Sequence, residues 1–143
     1  MGAWAAMERL TSLPSGHVFV FGSNTEGRHA GGAAADAVRH FGAVWGQGVG
    51  LQGQSYAIPT VDYTRRDDHR VPLGAIGRHV LEFLRFASEH PELTFHVTPV
   101  GCGIAGYRVE DIAPLFRADE AEPRNVVWPE EFVTFWREQE GGA

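Results

Sequence analysis

His17-Val18-Phe19-Val20-Phe21-Gly22-Ser23-Asn24 runs without a break into Thr25-Glu26-Gly27-Arg28-His29-Ala30-Gly31-Gly32-Ala33-Ala34. Residues 18–21 are all β-branched or aromatic, and no polar residue interrupts them. A continuous apolar run of this length predicts a strand buried on both faces. The next eleven residues, Gly22 to Gly32, hold four glycines and read as a loop. Ala33, Ala34, Ala37, Val38 and Phe41 then recur at helical spacing, which predicts a helix over residues 31–40. A strand, a glycine-rich loop and a helix in that order belong to an α/β layer fold.

The rest of the chain repeats the alternation. Gly42 to Gly53 carries five glycines and reads as turns, with a short strand at Ala43-Val44-Trp45. Ser55-Tyr56-Ala57-Ile58-Pro59 reads as a strand closed by its proline. Thr64 to Arg70 reads as an exposed loop. Leu73, Ile76, Val80, Leu84 and Ala87 mark a long amphipathic helix that stops near His90-Pro91. Leu93 to Thr98 reads as a strand. Glu110 and Asp111 suit the positive start of a helix reaching Phe116, shortened or kinked by Pro114. Asn125 to Trp128 reads as a last strand, and Pro129-Glu130-Glu131 opens a final helix. Trp4 to Leu10 reads as a short helix within an N-terminal extension, residues 1–16, and residues 140–143 read as a frayed tail. Trp45, Trp128 and Trp136 are assigned to the core or to an interface.

Composition narrows the chemistry. The 143 residues suit one domain, and a hydrophobic content of 43% is that of an ordinary globular protein. No apolar run approaches the roughly 20 residues of a membrane span. The first 13 residues lack the basic start and apolar core of a signal peptide, so a cytoplasmic location is expected. A single cysteine, Cys102, excludes an internal disulfide and a multi-cysteine metal site, and neither a metal nor a cofactor is expected. A net charge of −6 does not suit a surface that tracks a nucleic-acid backbone. All 12 basic residues are arginine. Composition bias accounts for this readily, but the consequence holds regardless of cause. Phosphate must be met by arginine, histidinium or backbone N–H groups, and lysine chemistry is closed.

Two loops carry the functional reading, because both follow predicted strands and ligands in α/β folds sit at strand carboxyl ends. In the first loop, the helix start beyond Gly31 offers unpaired N–H groups and the positive end of its dipole to an anion. The plain alternative is a sharp strand–helix turn with close packing under the alanines. The second loop, Gly101-Cys102-Gly103-Ile104-Ala105-Gly106, has the form G-x-G-x-x-G. As a dinucleotide fingerprint it fails on context, because Pro114 interrupts the helix that should follow. A backbone cradle for a phosphate is the better reading.

These stretches resemble the macrodomain, the ADP-ribose-binding module. Val18 to Asn24 is similar to the strand that ends in its ribose-contacting asparagine. Gly27 to Ala34 is similar to its glycine-rich loop and small-residue helix, and Pro99 to Tyr107 to its second phosphate loop. The likeness spans roughly residues 17–117. The chain is also similar to a group of short bacterial and phage proteins with the same Gly-Ser-Asn, Ser-Tyr-Ala-Ile-Pro-Thr and Gly-Cys-Gly signatures. It departs from the hydrolysing macrodomains in several ways. A single asparagine stands where they carry a doubled one, Arg28 and His29 occupy the loop, and the lysine of one hydrolase type is missing. The adenine-reading aspartate near the amino end is also not evident before Asn24.

The resemblance implies a three-layer α/β/α sandwich with a mixed sheet and a ligand such as ADP-ribose or a related nucleotide. Gly22, Ser23, Asn24, Gly27, Arg28, Gly31 and Gly32 would contact it from one loop. Gly101, Cys102, Gly103, Ile104, Ala105, Gly106 and Tyr107 would contact it from the other. Asn24, His29 and Asp62 are the candidates to position water or move a proton. Cys102 is read more readily as a small buried residue than as a nucleophile, Tyr107 as either a stacking or a packing residue, and Asp62 as a turn residue if not a base. Three functions stay open: hydrolysis of an ADP-ribosyl or phosphate bond, non-catalytic reading of the nucleotide, and a subunit of a phage or defence assembly with a vestigial pocket.

Overall fold

The decisive apolar run alternates across a sheet. The computed structural model describes residues 10–117 and 122–141. In it strand β1 covers His17–Asn24. Val18 and Val20 point into a cluster with Ile58, Phe95 and Phe116, while Phe19 and Phe21 point the other way onto Ala34, Ala37 and Phe41. Successive side chains of a strand take opposite faces, so a run apolar at every position needs a cover on both.

Those covers are helices. Helix α1 (Gly32–His40) lies on the Phe19 and Phe21 face. Strands β2 (Gly50–Gln52) and β3 (Ser55–Val61) follow, then helix α2 (Leu73–Glu89) and strand β4 (Thr94–Val97). Helix α3 (Val109–Ile112) passes into a 3-10 turn, Ala113–Arg117; β5 (Val126–Val127) and α4 (Glu130–Gly141) complete the order. Ile76, Val80, Phe83, Leu84 and Ala87 of α2 are buried at helical spacing on the Val18 and Val20 face. Phe132 and Trp136 of α4 join them there. The five strands run in the order β2-β3-β1-β4-β5. All pairs are parallel except β2 with β3, so the sheet is mixed. The result is an α/β sandwich.

Several local expectations change. Ala43-Val44-Trp45 is not a strand. The Ala43 N–H caps α1 at the Ala37 carbonyl and the Val44 N–H goes to Gln52 Oε1, leaving neither for a ladder. The short strand of this segment is β2. Pro59 does not end β3, which continues to Val61. Its missing N–H falls where the β1–β3 register slips, between Ser23 and Asn24. Pro114 acts as expected, since α3 is a single turn and tightens to 3-10 at Ala113. Trp136 is buried with its indole N–H on the Ala113 carbonyl, Trp128 is half-buried, and Trp45 is 60% exposed. The expected helix from Trp4 falls mostly on residues outside those described. Leu10 is not helical and packs with Leu13 against the α1-side cluster. Helix α4 includes residues 140 and 141 of the expected tail; the last two lie outside the described residues. Among the described residues, no helix is long and apolar enough to cross a membrane.

The connections decide where a site can form. The chain leaves β1 over one sheet face through α1 and reaches β3. It then leaves β3 over the opposite face through α2 and reaches β4, on the other side of β1. Connections that diverge to opposite faces open a crevice at the carboxyl ends of the strands between them.

Candidate functional site

A cavity of about 330 Å³ occupies that crevice. Gly22, Ser23 and Asn24 at the end of β1 form its floor. Arg28, Gly31, Gly32 and the first alanines of α1 form one wall, and Pro99 to Ala105 form the opposite one. Thr60, Val61 and Tyr63, at and beyond the end of β3, close a third side. The two glycine-rich loops, about 70 residues apart in sequence, therefore meet at one hollow because their parent strands are neighbours in a parallel ladder.

The first loop is held from within by Asn24. Its carboxamide Oδ1 accepts the Arg28 backbone N–H at 2.9 Å, and its Nδ2 donates to the Arg28 carbonyl at 2.8 Å. Both ends of one side-chain amide are thus spent on one backbone residue. Asn24 is a scaffold for the loop as well as part of the cavity floor. Gly27 turns the chain with φ +70°, and its N–H returns to the Asn24 carbonyl.

The loop is also braced from behind. Ser23 Oγ donates to the Gly48 carbonyl. His29 Nε2 lies 3.0 Å from the Gln47 carbonyl, which can only accept, so Nε2 carries the ring proton. Gln52 Nε2 donates to the same carbonyl. Gly48 packs so closely against the Asn24 and Thr25 carbonyls that a Cβ would overlap them. No residue from Gly42 to Gly53 lines the cavity. This segment is a brace beneath the first loop, not a lid over the pocket.

The second loop is shaped by its own backbone. The Tyr107 N–H returns to the Gly101 carbonyl at 2.9 Å, the Gly106 N–H to Gly103 at 3.0 Å, and the Cys102 N–H to Pro99 at 3.1 Å. Among the described residues, no protein group accepts the N–H of Gly103, Ile104 or Ala105. Across the hollow, α1 begins at an N-cap glycine with no side-chain cap, so its first-turn amides are also unpaired. Ile104 spans the gap: its Cδ1 lies 3.5 Å from where a Cβ of Gly31 would stand. The cavity thus carries N–H donors on two sides. Among the described residues, Arg28 is its only charged lining side chain. Its guanidinium is two-thirds exposed and paired with Glu26 at 3.0 Å.

Of the three candidates to position water or move a proton, Asn24 lines the hollow and His29 and Asp62 do not. His29 is 2% exposed and sits behind the loop wall, its ring edge against Phe21 and Trp45 and its Nδ1 buried without a partner. Asp62 does not line the cavity; it accepts from the Thr64 N–H and hydroxyl and from the Thr25 hydroxyl. The Thr64 hydroxyl, followed by the Thr64 N–H, holds its carboxyl below the usual carboxylate range, the wrong direction for a base at neutral pH. Cys102 does line the cavity, but burial first, then Glu131 and Asp111, pushes its thiol up to about 11. It is half-buried. Gly27, Gly106 and Tyr107 stand outside the lining; the Tyr107 hydroxyl donates to the Val71 carbonyl beneath Arg70.

Sequence reasoning did not single out Thr60, Val61, Tyr63 and Thr98. Each lies at the carboxyl end of a strand adjacent to β1, and strand ends were the available signal. Which strands flank β1 is a matter of sheet order, which the sequence does not display. No family model, curated protein or solved structure matches the chain.

Proposed function

We propose that the cavity binds a phosphate-bearing nucleotide derivative, with ADP-ribose as the first candidate, and that the protein reads this ligand without transforming it. The observation that carries the reading is the lining itself. Two glycine-rich loops present free N–H groups across one hollow, and among the described residues Arg28 is the only charged side chain there. Amide donors and one arginine complement an anion, and a hollow of this volume is within the range of small-molecule sites. The likeness of both loops to those of macrodomains favours a diphosphate joined to ribose. Reading is preferred to hydrolysis because, among the described residues, no carboxylate and no histidine lines the cavity, while general acid–base work needs such a group within reach of the reacting atoms.

Calorimetric titration with ADP-ribose tests this, with AMP, ADP, NAD and inorganic phosphate as controls. A dissociation constant of about 10 μM or tighter, selective for ADP-ribose and with the ligand recovered intact, is the expected result. No heat with any of the five overturns the ligand class. Recovery of cleaved ligand overturns the reader in favour of an enzyme.

A further inference from the structure

Among the described residues, Tyr63 is the only aromatic residue in the cavity lining, and it is 45% exposed. Its ring meets His69 edge-on at 5.3 Å. A large apolar face left open beside a row of amide donors is costly in water and gains most when something flat covers it. The turn that carries Tyr63 is unusually well tied for a surface segment. The Asp62 N–H goes to the His69 carbonyl, Val61 bridges to Arg70, and the Arg65 N–H returns to the Asp62 carbonyl. The Asp62 carboxylate adds three bonds, two from Thr64 and one from Thr25 of the first loop. The Thr25 N–H meets the Val61 carbonyl at 2.9 Å. The ring is therefore presented on a pre-formed support, which lowers the ordering cost of binding.

Resting on the reading of the cavity as a phosphate site, we propose that Tyr63 is the specificity-determining platform on which a planar heteroaromatic ring of the ligand stacks. Asp62 is the positioning residue that holds this platform. The ligand class that satisfies both ends is a base-bearing phosphate: anionic groups between the two loops, the flat ring on Tyr63 at the mouth. A sugar phosphate without a base uses only the inner half.

The test compares ADP-ribose with ribose 5-phosphate on wild type, Tyr63→Ala, Tyr63→Phe and Asp62→Ala, with thermal midpoints measured alongside. Loss of stacking in Tyr63→Ala weakens ADP-ribose by about tenfold or more, and leaves ribose 5-phosphate unchanged. Tyr63→Phe keeps the ring and stays within about twofold of wild type. Asp62→Ala weakens ADP-ribose selectively; an equal loss of both ligands marks a general structural role and overturns its assignment. If Tyr63→Ala binds ADP-ribose as wild type does, or loses both ligands equally, the platform is overturned while the phosphate site stands. If wild type binds neither ligand, the phosphate reading and the platform fall together.

Discussion

Replacing Gly48 by alanine tests the brace beneath the first loop. A methyl group at Gly48 would overlap the Asn24 carbonyl oxygen and stand 2.9 Å from that of Thr25. Both are backbone oxygens in a segment fixed by the Thr25-to-Val61 and Gly27-to-Asn24 hydrogen bonds, so neither can swing aside. The brace must lift instead. Lifting separates Ser23 Oγ from the Gly48 carbonyl and draws the Gln47 carbonyl away from His29. Overpacking a tight site costs about 1–3 kcal/mol. A buried hydrogen bond adds about 1 kcal/mol when broken. A total near 3 kcal/mol lowers the melting temperature by about 10 °C in a chain of this size. Urea unfolding with an unchanged m-value and thermal melting give the two readings. Gly103→Ala, where an added Cβ meets nothing within 4 Å, is the control and is expected to move the midpoint by no more than about 2 °C. A Gly48→Ala midpoint within the same range refutes the claim that close backbone contact fixes this loop.

Three further outcomes are expected. Glu26 competes with an anionic ligand for Arg28, so Glu26→Gln tightens ADP-ribose binding by about twofold to fivefold and Arg28→Ala weakens it, both by calorimetry at low salt. A Cys102 thiol pushed up to about 11 from a usual 9.0 reacts with iodoacetamide at pH 7.5 about 100-fold more slowly in the folded protein than in urea. Equal rates in the two states contradict its half-buried placement. His96 shares a 2.8 Å nitrogen-to-nitrogen contact with His17, and burial, with His17 second, holds its pKa below the ordinary value. The unfolded chain therefore takes up the proton first on acidification. Stability contributed here is full above the unfolded pKa of about 6.5 and falls as the pH drops below it. His96→Gln flattens that part of the stability profile measured in urea from pH 5 to pH 8, and an unaltered slope assigns the acid sensitivity elsewhere.

The strand at residues 17–21, which the structure carries on to Asn24 through the start of the expected loop, the helix after Gly31, the long helix ending near His90 and the proline-shortened helix at Pro114 were legible in the sequence. Each rests on a local pattern: a run apolar at every position, a spacing of three and four, or a residue that cannot donate an N–H. The two glycine-rich loops were legible as ligand candidates for the same reason.

What the pattern did not contain was direction and neighbourhood. His29 follows Arg28 by one residue, yet one lines the cavity and the other is buried against Phe21, because the Asn24 clasp turns the loop between them. Asp62 and Tyr63 are adjacent as well, and only the tyrosine reaches the cavity; the aspartate is consumed in holding the turn. Residues 42–53 read as turns, and became a brace because Gly48 can approach the Asn24 carbonyl where no other residue fits. The meeting of the two loops depended on β4 adding beside β1 on the side away from β3. Local periodicity determined which segments are strands and helices, because it records the burial each one needs. Sheet order and backbone contacts between distant segments decided which side chains share the hollow, because those contacts exist only once the layers have closed on one another.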